Sequence, residues 1–284
     1  MNISSPRRIG AVFLAGAAAV ALAGCAASGS TSGGTASEPV EGELATLTPG
    51  TLTIATGDPV YTPWMVDNDP ANGEGFESAV AYAVAAELGF EEGDVTWVRA
   101  GFEQSVTPGA KDWDLNLQQF SVTDERKNAV DFSSAYYTTA QAVIATADSP
   151  AADATTIAEL NDVTVGASVG STSYAIADEQ LDTDIQTFNS NEDAVLALTS
   201  GQIDAFVIDL PSAFYLTGAE IDGGVVVGQF ADSTDGDELA FVLPKDSELT
   251  SPVTDAVDAL REDGTLDALA QEWLADAVDA PVLK

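Results

Sequence analysis

The chain contains no histidine, a single cysteine, and only nine Lys and Arg against 46 Asp and Glu. Each shortage removes a class of chemistry. Without histidine there is no imidazole general base, no Ser-His-Asp or Cys-His nucleophilic system, and no His ligand for a soft metal site. One cysteine leaves no partner for an intramolecular disulfide. Nine basic side chains cannot build the positive face that a nucleic-acid backbone requires. The GxGxxG fingerprint and the GxxxxGK[ST] phosphate loop are absent too, so neither cofactor nor metal is expected. In so acidic a chain, carboxylate pairs are too common to anchor a glycosidase reading. The net charge of −37 says only that the surface is solvated and self-repelling.

What is present begins with a targeting segment. Arg7 and Arg8 precede the apolar run AVFLAGAAAVALAG, which is too short and too rich in Ala and Gly for a stable membrane span. The run stops at Leu22-Ala23-Gly24-Cys25. Small residues followed at once by the only cysteine point to bacterial lipoprotein processing, in which residues 1–24 are removed and the Cys25 thiol receives the lipid. The residues after the arginine pair lack the aromatic-leucine pair of twin-arginine export, which favours the general route. Residues 25–47 are rich in Ser, Gly, Thr and Ala without apolar periodicity, so a flexible tether is expected there. The expected location is the extracellular face of the bacterial cell membrane, with the chain lipid-anchored. The remaining stretch exceeds the usual size of one compact core, so two lobes are expected.

TLTIAT reads as a strand, and GFESAVAYAVAAELGF as a helix: Phe76, Val80, Ala83, Val84 and Leu88 share a face, with Gly89 as the C-terminal cap. DVTWVRA, DWDLNLQQF and AVIATAD read as further strands. The pattern then restarts. DVTVGAS is a strand, STSYAIADEQL a helix capped by Ser171 or Thr172, and SNEDAVLALTSG a helix with Ser190 and Asp193 at capping-box spacing. IDAFVIDL, GGVVVGQF and ELAFVLP follow as strands, and two helices split by Gly264 end the chain. Strands alternating with helices imply parallel α/β sheets. DNDPANGEGFE looks like a calcium loop, but Ala71 and Asn72 break the ligand spacing and it reads as a solvated turn.

The chemistry centres on Arg126. In LNLQQFSVTDERK an apolar strand runs out into Gln118, Gln119, Ser121 and Thr123, and then into a guanidinium. Ligands bind at strand ends in open α/β sheets, and a guanidinium offers paired donors matched to a carboxylate. Surface pairing with one of the many acids is the competing reading. In the second half, TVGASVGSTSY leads a strand into a helix start near Ser171 and Thr172, where backbone N–H groups could hold an anion. Asp209 ends the strand IDAFVIDL, where it could receive an ammonium or act as a plain helix cap.

Together, TLTIATGDPVYTPW, GFESAVAYAVAAELGF, DLNLQQFSVTDERKNAVDFSSAYYTTAQAVIA, VGASVGSTSY, GQIDAFVIDLP and REDGTLDALAQEWL resemble the extracellular solute-binding proteins of polar amino-acid ABC transporters, family 3 type. The resemblance implies an α/β, two-lobed, periplasmic-binding-protein-like type II fold. Its hinge would be two crossing strands, near QAVIA and VVVGQF. Residues 48–143 plus 229–284 would then form lobe 1 and residues 144–228 lobe 2. The resemblance makes Arg126 the clamp for an α-carboxylate, helped by Thr172 and the backbone near Ser171. It makes Asp209 the acceptor of the α-ammonium, with the Ser121 hydroxyl beside it. Tyr61 and Phe102 would sandwich the ligand side chain, and Asp58 falls where relatives preferring basic or amide side chains place an acid.

Gln118 and Gln119 stand where many relatives have small residues, and TPGAKDWD replaces the helix usual there. The implied function is a lipid-anchored, non-enzymatic, monomeric receptor that delivers a polar amino acid or related small zwitterion to ABC permease subunits. The alternatives are a lyase of the cyclohexadienyl dehydratase kind and a ligand-sensing receptor.

Overall fold

The computed structural model describes residues 44–231, 236–274 and 280–284. The targeting segment, Cys25 and most of the expected tether lie outside the described residues. Two mixed sheets organise the rest, in the two-lobed type II arrangement of the α/β class.

In the first sheet, β1 (Leu52–Thr56) is buried along its whole length because β2 (Val95–Arg99) and β3 (Leu115–Asn116) flank it in parallel. The order is β2-β1-β3-β10-β4, with β4 (Val130–Thr139) and β10 (Asp237–Pro244) at one side. The second sheet has the order β7-β6-β8-β5-β9. Its strands are β5 (Gln141–Thr146), β6 (Val165–Ser168), β7 (Gln186–Phe188), β8 (Ala205–Asp209) and β9 (Gly224–Gln229).

The structure corrects two expectations. Neither sheet is purely parallel: β10 runs antiparallel to β3 and β4, and β5 antiparallel to β8 and β9, because a chain that leaves one sheet for the other must also return. A ten-residue strand, β4, occupies a segment in which no strand was expected, although its Val, Phe, Tyr and Thr content suits a pleated, half-buried surface. The chain changes sheet at Ala140, between β4 and β5. QAVIA and VVVGQF, the expected crossing strands, lie side by side as β5 and β9, next in the chain to β4 and β10 of the first sheet. The C-terminal residues also join that sheet, since the Gln229 N–H donates to the Pro281 carbonyl at 2.8 Å and the Leu283 N–H to the Gln229 carbonyl at 2.9 Å.

Local signals set the helix ends that shape the site. Helix α1 (Phe76–Glu87) buries Phe76, Val80, Ala81 and Val84 against Leu52 and Ile54, and Gly89 follows its end at φ 88. Gly75, at φ 98, starts it where an added Cβ would meet the Trp64 carbonyl oxygen at 2.6 Å, so only glycine fits. Helix α2 (Phe102–Val106) is a short turn that stops before Pro108. After α3 (Ile157–Leu160), α4 (Thr172–Gln180) is capped by the Ser171 hydroxyl, which accepts the Tyr174 N–H at 3.0 Å. Ser190 caps α5 (Asn191–Thr199) in the same way, through the Asp193 N–H at 3.1 Å. Helix α6 (Leu210–Tyr215) continues directly from β8, and α7 (Thr250–Glu262) and α8 (Thr265–Trp273) follow β10, separated by Gly264. Among the described residues, no helix is long and apolar enough to cross a membrane.

Candidate functional site

A cleft of about 1150 Å³ opens between residues that follow strands of the first sheet and residues that follow strands of the second. Its first wall forms where β3 ends. Leu117 and Phe120 point into the core, and the glutamines between them are displaced toward the cleft. Gln119 sits at φ 51, an uncommon backbone state for a non-glycine residue, and is held there by Glu77. The Glu77 carboxylate accepts the Gln119 backbone N–H at 2.7 Å, the Gln119 side-chain amide and the Tyr136 hydroxyl. Complete burial outweighs these three donors and pushes the Glu77 carboxyl up to about 7. Gln118 donates from Nε2 to Asn116 Oδ1 at 2.9 Å, and its Oε1 lies beside Gly57, where an added Cβ would come within 3.1 Å. Both glutamines thus turn amide nitrogen toward the protein.

Arg126 is 8% exposed, which decides against the surface-pairing reading. Its Nη1 donates to the Ser121 carbonyl at 2.8 Å and its Nη2 to the Gly170 carbonyl, on the other wall, at 3.0 Å. The guanidinium lies 5.3 Å from the centroid of the Phe102 ring, which stacks on Phe120 at 4.8 Å. Burial lowers the Arg126 pKa, while Asp237 and Asp209 oppose that effect.

The second wall carries Asp209. Its strand pairs antiparallel with β5 in a register that sets Asp209 opposite Gln141. The Gln141 side-chain nitrogen reaches Asp209 Oδ1 at 2.8 Å and Asp237 Oδ2 at 3.0 Å. Burial, then the Asp237 charge, raises the Asp209 carboxyl to about 7. Thr172 meets Ser121 across the cleft with the hydroxyl oxygens 3.0 Å apart.

Asp58, Tyr61 and Phe102 line the cleft together with Gln118, Gln119 and Arg126, and Ser171, Thr172 and Asp209 face them. Ser121 differs from expectation: it is 3% exposed, lies behind the lining, and its hydroxyl is engaged by Thr172 and Asp237. Asp58 sits at the exposed edge, accepting Asn68 Nδ2 at 3.5 Å. The Tyr61 hydroxyl reaches Glu192 Oε2 at 3.5 Å, and burial followed by that carboxylate raises its pKa to about 12. Trp64 donates from Nε1 to Ser212 Oγ at 2.8 Å, tying the two sides together.

Glu77, Gln141 and Asp237 were not among the expected site residues. The signal for Gln141 was a polar residue opening an apolar run. Asp237 carried none, being one acid among many. The arrangement places the Arg126 guanidinium and the Asp209 carboxylate in a single cleft, which complements a molecule bearing both charges.

Residues 52–276 match the family described as bacterial extracellular solute-binding proteins, family 3. The arginine-binding extracellular protein ArtP of Bacillus subtilis is 28% identical over 205 residues, covering 70% of this chain and 77% of that protein. The L-cystine-binding protein TcyJ of Escherichia coli K12 is 28% identical over 228 residues, covering 79% and 82%. Among solved structures, the ancestral amino acid-binding protein AncCDT-1, a precursor of cyclohexadienyl dehydratase, has 31% identity and a TM-score of 0.65, covering 79% of this chain and 95% of that one. An ancestral arginine-binding protein bound to arginine has 25% identity and a TM-score of 0.67, covering 79% and 98%.

Proposed function

The chain belongs to the bacterial extracellular solute-binding proteins, family 3, and on that premise we propose that it captures a polar amino acid or related small zwitterion and delivers it to an ABC importer. The observation that carries this reading is the pairing of Arg126 and Asp209 in one cleft. Arg126 holds the ligand carboxylate with the N–H groups it does not spend on the Ser121 and Gly170 carbonyls, aided by the backbone at the start of α4 near Ser171 and Thr172. Asp209 accepts the ammonium. Tyr61 and Phe102 flank the side chain, while Gln118, Gln119 and Asp58 face it with oxygen acceptors. A ligand held from both walls binds the closed arrangement more tightly than an open one, and that difference drives closure.

Cys25 carries the lipid that keeps the protein at the extracellular face of the membrane, and residues 25–47 tether the fold to it. Support comes from the apolar run that ends at Leu22-Ala23-Gly24-Cys25. Mass spectrometry of membrane-extracted protein checks this: the expected product begins at a diacylated Cys25, and an unmodified Cys25 would refute it.

Calorimetric titration of the purified protein against a panel of amino acids tests the main reading. One or more should bind, and Arg126→Ala should weaken that binding roughly 100-fold or more, as for loss of a buried charge partner. No binding to any α-amino acid would overturn it. A lyase would convert prephenate-like or arogenate-like substrates; tight binding without product is the expected result.

A further inference from the structure

Gln141 opens β5, Asp209 closes β8 and Asp237 opens β10, and these three sequence-distant residues meet behind the cleft. The Gln141 amide is oriented by Ser173, whose hydroxyl donates to Gln141 Oε1 at 2.6 Å, which leaves Nε2 directed at the two carboxylates and, at 3.4 Å, the Thr172 hydroxyl. Asp237 Oδ2 also accepts the Ser121 hydroxyl at 3.2 Å. A serine hydroxyl has one proton to give. With that proton on Asp237, the 3.0 Å contact between Ser121 Oγ and Thr172 Oγ1 is donated by Thr172. A relay therefore runs from Thr172 through Ser121 to Asp237. Thr172, which lines the cleft and already accepts the Gln141 side-chain nitrogen at 3.4 Å, keeps its second lone pair for a hydrogen bond from a ligand.

We propose that Asp237 is a positioning residue of the ligand site: as the end acceptor of this relay it makes the Thr172 hydroxyl an acceptor and holds Gln141 against Asp209, so that this end of the cleft takes a primary ammonium. The inference rests on the amino-acid-site reading and changes one of its details. Thr172 serves the ammonium through its hydroxyl, and the carboxylate is left to Arg126 and backbone N–H groups. The charged and titratable groups facing Asp209 are Asp237 on β10, Glu77 on α1 and Arg126 beyond β3, with Tyr136 and Tyr137 on β4. Asp237 is the largest of the charges that hold the Asp209 carboxyl up, so its removal brings the Asp209 titration down.

The test uses Asp237→Asn and Thr172→Val in the purified protein, with L-arginine, L-glutamine and agmatine as probes. Agmatine keeps the primary amine of arginine and lacks its carboxylate. Carboxyl-carbon NMR of the ligand-free protein should show the Asp209 midpoint moving to lower pH in Asp237→Asn but not in Thr172→Val, which alters the packing without removing a charge. The pH below which the amino acid dissociates should fall with it, and affinity at pH 8 should drop at least tenfold. Thr172→Val should weaken agmatine and the amino acid by similar factors. An unmoved Asp209 midpoint in Asp237→Asn overturns the inference, as does a Thr172→Val effect on the amino acid that is absent for agmatine. If the wild-type protein binds no α-amino acid, the amino-acid reading falls and the inference falls with it. If the wild type binds and the variants behave as in either overturning case, only the inference falls.

Discussion

Replacing Glu77 by Gln tests the physical account of the first wall. Glu77 is fully buried in α1, and its carboxyl, ordinarily near 4.5, is raised to about 7 by burial. A carboxyl whose pKa is raised on folding stabilises the fold in its protonated form. That contribution is fully present below about 4.5, the value outside the fold, and is lost as pH rises through about 7. At about 1.4 kcal/mol per unit, the difference between those two values corresponds to about 3 kcal/mol. Glutamine has the shape of the protonated acid and does not titrate. At pH 5 the two proteins should therefore be similarly stable, apart from the cost of turning one amide N–H toward the Gln119 and Tyr136 donors. At pH 8 the variant should have gained about 3 kcal/mol relative to wild type. For a fold of this size that is a shift in melting temperature of roughly 6–12 °C. Urea denaturation of both proteins from pH 5 to pH 8 reads the difference, with groups remote from residue 77 cancelling and Asp209, which loses the Glu77 charge, titrating at lower pH in the variant. A stability difference that stays constant across that range would refute the reasoning, as would a wild type that gains on the variant as pH rises.

Trp64→Phe keeps the ring packing against Phe76 and Tyr137 but removes the Nε1 donor to Ser212 at 2.8 Å. Losing that tie should cost about 1 kcal/mol of the closed arrangement and release ligand several-fold faster by stopped-flow. Gly75→Ala forces a side chain onto φ 98 and into contact with the Trp64 carbonyl at 2.6 Å. Thermal unfolding should show a loss of about 2–4 kcal/mol, and a neutral result would mean the α1 start can shift.

The sequence by itself determined those features whose causes are local. The strand at Leu52–Thr56, the helix from Phe76 ended by Gly89, and the Ser171 and Ser190 caps follow from side-chain period, hydroxyl capping and left-handed glycine, each acting over a few residues. The position of Arg126 just past a strand was equally legible, because apolar run and guanidinium are adjacent in the chain. Tertiary structure alone decided what lies across the chain. Whether β10 runs parallel or antiparallel, and that the sheets part at Ala140, depend on pairings between segments far apart in the chain, where local propensity has no vote. The same distance hid Asp237. Among 46 acids nothing in its neighbourhood marks it, and it matters only because β10 returns it to the side chains of Gln141 and Ser121. Burial, likewise a property of the assembled fold, is what separates Glu77 and Asp209 from the solvated carboxylates around them.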